Sequence, residues 1–169
     1  SIIGSLRYLL HTRPDLSFSV GFLSRFMESP RHDHKVALKR VLCYLSATAG
    51  YGLQYSRGRG SLKLIGYSDS DLAGDIDDRR STTGAIFFLG ESPVSWMSQK
   101  QKAVATSSCE AEYMASAAAA AQAVWLQKLL EEVVGIPAKP TIILMDNTAA
   151  IALAKNPVHH DRSKHIDVK

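Results

Sequence analysis

Acidic side chains follow two of the apolar segments that the sequence predicts to be β-strands. Asp69 ends the run LIGYSD, and Asp146 ends the run TIILMD. Carboxylates at the ends of neighbouring strands can converge on one site at the edge of a sheet. Each aspartate alone is better explained as a helix cap or a turn residue, because Asp is common at both positions. Only a third acidic residue beside them makes the pair indicative of a metal site.

The segment TSSCEAEYMA offers two glutamates, and helix geometry separates their roles. With Ser107 as the N-cap, Glu110 occupies the third helical position and completes the capping pattern S-x-x-E. Glu112 instead lies on the apolar side of the predicted helix, which should pack on the sheet. An acid at the start of an apolar stripe is costly to bury unless something compensates its charge. The sequence therefore predicts a cap at Glu110 and a metal ligand at Glu112. The apolar stripe consists of Ala119, Ala123, Leu126 and Leu130.

Three carboxylates at Asp69, Glu112 and Asp146 have the chemistry of a divalent-metal site. Mg²⁺ prefers hard oxygen ligands, keeps several waters and is typically completed by substrate phosphate. Two such ions about 4 Å apart can activate a water molecule and stabilise the leaving oxygen of a phosphodiester. We therefore expect a centre of two Mg²⁺ or Mn²⁺ ions whose three protein ligands are also the catalytic residues of a nuclease.

Charge is unevenly distributed along the 169-residue chain, whose net charge is +4. Residues 1–60 contain nine Lys and Arg against three Asp and Glu, whereas residues 61–169 contain eleven against thirteen. A basic half beside an acidic half is typical of a polyanion-binding surface next to a metal-binding one, although solvated surface charge explains the count equally well. The residues expected to contact a nucleic-acid backbone are Arg25, Arg31, Lys35, Lys39, Arg40, Lys100, Lys102, Arg162 and Lys164.

The pattern of elements divides the chain into two parts. Residues 1–55 show helical spacing of apolar residues with a break at Pro14, and the glycine-rich stretch ATAGYGLQYSRGRGS marks a boundary. Residues 56–169 are expected to hold strands over 62–68, 85–89, 94–98 and 141–145. Two helices are expected, one over 108–134 and one from near Asn147 to before Asn156. This order predicts an α/β domain with a mixed sheet flanked by helices, preceded by a helical segment.

Composition argues against several other classes. No apolar run reaches the about 18 residues that span a bilayer, and the N-terminus does not resemble a signal peptide. Two cysteines, Cys43 and Cys109, form neither a disulfide framework nor a zinc ribbon, so we expect an intracellular protein, cytoplasmic or nuclear. We expect a basic loop rather than a zinc site at His159, His160 and His165. The acids Asp75, Asp77 and Asp78 are expected at solvated turn positions. Trp96 and Trp125 are expected in the core.

Several long motifs also resemble a known family. YSDSDLAGD, TTGAIFFLG, VSWMSQKQKAVATSSCEAEYMA and MDNTAAIALAKNPVHHDRSKHIDV together resemble the RNase H domain of Ty1/copia-type LTR retrotransposon polyproteins. GSLRYLLHTRPDLSFSVGFLSRFM and the pattern H-x-x-A-L-K-R-V-L-C-Y-L resemble the segment that joins this domain to the reverse transcriptase. The resemblance thus implies a helical connection segment at residues 1–55 and an RNase H-like domain at residues 56–169.

The resemblance implies a fold and an activity. The fold is a five-stranded mixed sheet with antiparallel first strands, flanked by helices. The activity is Mg²⁺-dependent cleavage of the RNA strand of an RNA–DNA hybrid during reverse transcription, with the reverse transcriptase portion of the same polyprotein as a partner. The family's acids fall on Asp69, Glu112 and Asp146, whereas Asp71 recurs in the pattern without a catalytic role.

One departure from the family pattern keeps an alternative open. The family's fourth carboxylate lies on a final helix after a fifth strand, and this sequence stops at HIDVK, before either. Asp167 precedes the expected strand and is not given that role. We therefore expect the last strand and helix of the fold to be missing. The alternative is a catalytically inactive, truncated or degenerate RNase H-like module that binds nucleic acid or a partner subunit.

Overall fold

The computed structural model describes residues 2–55, 63–135, 137 and 139–156. Within these residues, the helices are α1 (Ile2–Leu9), α2 (Ser17–Ser24), α3 (His32–Ala47), α4 (Ser108–Val134) and α5 (Thr148–Lys155). The strands are β1 (Leu64–Ser70), β2 (Thr82–Leu89), β3 (Ser92–Lys100) and β4 (Ile142–Leu144). The predicted helix over 108–134 is confirmed at both ends, and each predicted strand is found within a few residues of its expected bounds.

The helices α1 to α3 pack on one another around a small apolar core. Pro14 opens a short 3₁₀ turn that separates α1 from α2, as the break in the sequence pattern predicted. The buried Arg13 side chain links this turn to the end of α3, because its guanidinium pairs with Asp15 (2.7 Å) and donates to the carbonyl of Thr48 (3.1 Å). The core residues are Leu6, Leu16, Val20, Leu23 and Val41.

The four strands form one mixed sheet in the order β3-β2-β1-β4. β1 is antiparallel to β2, and β2 is antiparallel to β3. β4 lies parallel to β1, with Tyr67 opposite Leu144. The expected arrangement of three antiparallel strands followed by a parallel one is thus confirmed.

Helix α4 covers one face of the sheet. Ser107 caps its N-terminus by accepting a hydrogen bond from the backbone N–H of Glu110, and Gly135 ends it in the left-handed region at φ 73°. The residues that α4 presents to the sheet are small or aliphatic, which lets the helix approach closely; they include Ala115, Ala119, Ala123 and Leu126, all buried. On the sheet, Phe87 is fully buried against this stripe. The apolar side of α4 predicted from the helical period is therefore confirmed.

The helical segment rests against β3 and against the loop between β1 and β2. The Nε1 of Trp96 donates to the carbonyl oxygen of Leu10 at 2.8 Å, and Arg25 at the end of α2 pairs with Asp75 at 3.3 Å. Lys100 contacts the same Asp75 carboxylate at 2.6 Å. The contacts of Trp96 and Arg25 join the N-terminal helices to the sheet and its β1–β2 loop, and the contact of Lys100 holds that loop on β3.

Two expectations drawn from residue type are wrong. Trp125 is 56% exposed, because on α4 it lies about 100° around the helix from the buried Leu126. Asp75 is buried rather than solvated, since two cations compensate its charge. No helix among the described residues is long and apolar enough to cross a membrane.

Candidate metal centre

The fold brings the three predicted carboxylates together. Asp69 and Asp146 each stand two residues beyond the paired residues Tyr67 and Leu144 on parallel strands, so they emerge side by side. Glu112, near the start of α4, reaches the same end of β1. One ligand oxygen from each of Asp69, Glu112 and Asp146 lies within 4.8 Å of the others. We call these residues the carboxylate trio.

The members of the carboxylate trio differ in exposure. Asp69 and Asp146 are exposed, whereas Glu112 is only 5% exposed. The backbone N–H of Ser70 lies between two of the acids and donates to Oδ1 of Asp69 (2.9 Å) and to Oε1 of Glu112 (3.3 Å). Among the described residues, Oε2 of Glu112 has no hydrogen-bond partner, and no cationic side chain pairs with the carboxylate trio.

Electrostatics at this site favour a bound cation. Burial raises the pKa of Glu112, and the nearby charges of Asp69 and Asp146 raise it further. A buried carboxylate oxygen without a partner, beside two further carboxylates, is a donor set that a hard divalent ion satisfies. The residues present therefore fit Mg²⁺ or Mn²⁺, and a centre of this composition can support phosphodiester chemistry.

Hydrogen bonds at the start of α4 hold Glu112 in place. The Glu110 carboxylate accepts from both the backbone N–H (2.8 Å) and the hydroxyl (2.5 Å) of Thr106, just before the helix. The buried side chain of Gln101 donates to the carbonyl of Ala111, the residue that precedes Glu112. The predicted N-cap at Ser107 is confirmed by the bond that its side chain accepts from the N–H of Glu110. The Glu110 carboxylate bonds to Thr106, one residue before the N-cap, and Glu110 is not part of the carboxylate trio.

Two members of the carboxylate trio, Asp69 and Asp146, border a cleft on the sheet face opposite α4. The cleft has a volume of about 830 Å³ and is lined by Asp69 and Asp146 together with apolar side chains, among them Phe18, Tyr67, Trp96 and Leu144. Gly84 pairs with Asp69 across the strands and has no side chain to fill the space beside it. The exposed carboxylates are therefore accessible to a large ligand.

The residues predicted to contact nucleic acid have different surroundings. Lys100 forms ion pairs with Asp75 and Asp78, at 2.6 and 2.8 Å. Arg25 is also engaged with Asp75. Arg31, Lys35, Lys39, Arg40 and Lys102 are exposed, whereas Arg162, Lys164, Asp167, His159, His160 and His165 lie outside the described residues.

Sequence reasoning did not identify two residues that support the site. Gln101 lies between two lysines in a predicted turn, where its type and spacing carry no signal of burial. Asp75 follows other acids in a loop, and only the packing of α2 and β3 against this loop brings Arg25 and Lys100 to it.

Comparison with known proteins gives the relatives of the chain. The retrovirus-related Pol polyprotein from transposon RE1 of Arabidopsis thaliana is 47% identical over 167 residues, which are 99% of this chain and 11% of that polyprotein. The one from transposon TNT 1-94 of Nicotiana tabacum is 43% identical over 170 residues, or 100% of this chain and 13% of that polyprotein. The secreted RxLR effector protein 161 of Plasmopara viticola is 53% identical over 127 residues, or 75% of this chain and 89% of that protein.

The extent of these matches defines the family. No protein-family model and no solved structure matches the chain. Relatives at 43–48% identity over nearly the full chain are retrovirus-related Pol polyproteins, and the chain spans only 11–13% of their length. The chain therefore belongs to the family of sequences that forms this one segment of the retrovirus-related Pol polyproteins of Ty1/copia-type transposons.

Proposed function

We propose that this chain is the RNase H-like module of a retrotransposon Pol polyprotein, and that it hydrolyses the RNA strand of RNA–DNA hybrids during reverse transcription with Mg²⁺ or Mn²⁺. The carboxylate trio carries this proposal, because three acids from separate elements converge without a compensating cation among the described residues. A cluster of like charges that bound no ion would only destabilise the fold.

The arrangement of the sheet supports the same proposal. The resemblance implies antiparallel first strands followed by a parallel strand, with one acid on the first strand, one on the fourth strand and one on the helix between them. The order β3-β2-β1-β4 and the positions of Asp69, Glu112 and Asp146 agree with that pattern.

Each member of the carboxylate trio would have its own part in the reaction. Glu112, which is buried and accepts a hydrogen bond from the backbone N–H of Ser70, would supply the ligand from α4 that holds the ions. Asp69 and Asp146, exposed at the cleft, would hold the ions where a phosphodiester can approach. The chemistry that such ions would supply when bound is activation of a water molecule and stabilisation of the leaving 3′ oxygen. Because Gly84 has no side chain, the surface beside Asp69 has room for the substrate strand.

Binding of the hybrid would depend on the basic surface. The exposed cations of α3 would contact phosphates, so binding should weaken steeply with salt. Selection of a hybrid would come from its shape and from RNA 2′-hydroxyls. We further propose that residues 1–55 connect the module to the reverse transcriptase portion of the polyprotein, and that the protein acts inside the cell, in the cytoplasm or the nucleus.

Cleavage of an end-labelled RNA–DNA hybrid tests the proposal directly. The assay compares the wild type with Asp69→Asn, in Mg²⁺ and in Mn²⁺, and uses Asp77→Asn as the matched control because Asp77 is exposed and outside the carboxylate trio. We expect cleavage by the wild type and the control and none by Asp69→Asn. Cleavage that survives in Asp69→Asn contradicts the assignment. Salt-sensitive hybrid binding by a wild type that does not cleave supports the alternative, an inactive binding module.

A further inference from the structure

Gln101 links the two elements that carry Asp69 and Glu112. It directly follows β3, and its side chain is only 8% exposed. Its Nε2, which carries two N–H groups, lies within hydrogen-bond distance of three acceptors: the hydroxyls of Ser70 (3.1 Å) and Thr83 (3.1 Å) and the carbonyl oxygen of Ala111 (2.9 Å). The partners therefore lie on β1, on β2 and on α4.

Two of these partners are the immediate neighbours of metal ligands. Ser70 follows Asp69, and its backbone N–H contacts the carboxylates of both Asp69 and Glu112. Ala111 precedes Glu112 on the first turns of α4. A single buried amide thus contacts the hydroxyl of the residue after Asp69 and the backbone carbonyl of the residue before Glu112.

The backbone of Gln101 is fixed as well. Its N–H donates to the carbonyl oxygen of Ser81 at 2.8 Å, and Ser81 is fully buried. The orientation of the side-chain amide follows from its partners, because the Ala111 carbonyl only accepts hydrogen bonds and must face Nε2. Gln101 is thus anchored at both ends before any ligand binds.

We infer that Gln101 is a positioning residue of the metal centre, which sets the separation of Asp69 and Glu112 through Ser70 and Ala111. The inference rests on the proposed function of the carboxylate trio. A divalent ion of small radius requires its ligand oxygens within narrow limits, so freedom of α4 relative to β1 weakens binding even when all three carboxylates are present. Gln101 itself contacts no ion and no reacting atom in this account.

The test compares Gln101→Met with Gln122→Met. Methionine keeps the length of the side chain and removes the amide. Gln122 is a suitable control because its Nε2 also ties α4 to the sheet, donating to the hydroxyl of Ser95 at 3.1 Å. It lies ten residues along α4 from Glu112, or about 15 Å at 1.5 Å per residue. Thermal unfolding is measured in EDTA and across a series of Mg²⁺ concentrations, with no nucleic acid present.

We expect Gln101→Met to need an about 10- to 100-fold higher Mg²⁺ concentration for half of the stabilisation, the usual loss when a residue that orients a metal ligand is removed. Gln122→Met should lose stability in EDTA and keep the Mg²⁺ response of the wild type. In the cleavage assay, Gln101→Met should lower kcat and leave the KM for the hybrid unchanged. A half-maximal Mg²⁺ concentration equal to that of the wild type overturns the inference and leaves the proposed function intact.

A second variant covers the case in which Gln101→Met does not fold. Ser70→Ala removes one hydroxyl that Gln101 contacts and keeps the backbone N–H between Asp69 and Glu112. A severalfold rise in the half-maximal Mg²⁺ concentration supports the inference, and an unchanged value overturns it. A wild type whose stability does not respond to Mg²⁺ overturns this inference together with the proposed function.

Discussion

Replacing Glu112 by glutamine should stabilise the metal-free protein. The substitution keeps the shape of the side chain and removes its negative charge. In the folded state that charge is unfavourable, because Glu112 is buried, its Oε2 has no partner among the described residues, and Asp69 and Asp146 lie beside it. The raised pKa of Glu112 has the same causes. Removal of the charge relieves the repulsion from Asp69 and Asp146 but weakens the hydrogen bond that the backbone N–H of Ser70 donates to this side chain.

The size of the effect follows from the separation of the charges. Two unit charges 4.8 Å apart repel by about 3.5 kcal/mol at an effective dielectric constant of about 20, and by about 1 kcal/mol in water. Asp69 and Asp146 are exposed, so water screens part of this repulsion. We therefore expect a gain of about 2 kcal/mol in the free energy of unfolding. For a domain of this size, the gain raises Tm by about 4–8 °C.

Thermal unfolding in EDTA and in Mg²⁺ provides the assay. A ligand that binds only the folded state adds about 2.7 kcal/mol at a concentration of 100 times Kd, and Glu112→Gln should lose most of this gain. The order of stability then reverses: the variant is more stable in EDTA and the wild type is more stable in saturating Mg²⁺. Glu91→Gln, at an exposed position, should change neither value. A Glu112→Gln variant that is less stable than the wild type in EDTA refutes the claim of repulsion.

Two further substitutions test the parts of the fold that support the site. Asp75→Asn should lower the free energy of unfolding by about 2 kcal/mol at neutral pH, because the hydrogen bond from Lys100 lowers the pKa of Asp75 to about 2. Because the pKa of Asp75 is lowered, this stability is present above about pH 4 and is lost as the pH falls towards 2. Urea unfolding at pH 7 and at pH 3 should therefore show a smaller difference in the free energy of unfolding between variant and wild type at pH 3. Gly66→Ala should lower the free energy of unfolding by about 1–3 kcal/mol, because its Cβ would lie 2.6 Å from the ring of the buried Phe87. Urea unfolding would show this as a lower midpoint concentration with an unchanged slope.

Local chemistry made several features of the fold predictable. The ends of α4 follow from Ser107 and Gly135, which supply a side-chain cap and a left-handed residue. The buried side of the same helix follows from the period of its apolar residues. Glu110 and Glu112 are both buried, and their contacts separate them: the Glu110 carboxylate accepts from Thr106, whereas Glu112 lies with Asp69 and Asp146. Asp69 and Asp146 could be placed at strand ends, although only the parallel pairing of β1 and β4 in the structure brings them side by side.

Features that depend on contacts between distant segments were not predictable. Asp75 has the sequence surroundings of a solvated turn, and its burial depends on Arg25, fifty residues earlier in the chain. The amide of Gln101 finds its partners on β1, β2 and α4, which no spacing in the sequence associates. Trp125 shows the opposite error, because a large aromatic side chain suggests a core position and the helical phase places it in solvent.

The boundary that composition places after residue 55 does not separate the helices from the chemistry of the site. Arg25 at the end of α2 contacts both Asp75 and Thr82, at 3.3 and 3.2 Å. The backbone N–H of Thr82 donates to the Asp71 side chain, and the backbone N–H of Asp71 donates to the Thr82 carbonyl, two residues beyond Asp69. The helical segment therefore stabilises the β1–β2 hairpin, which carries Asp69, through the contacts of Arg25. One cation of residues 1–60, Arg25, thus pairs with a buried acid of residues 61–169, so this basic residue has a structural role independent of nucleic-acid binding.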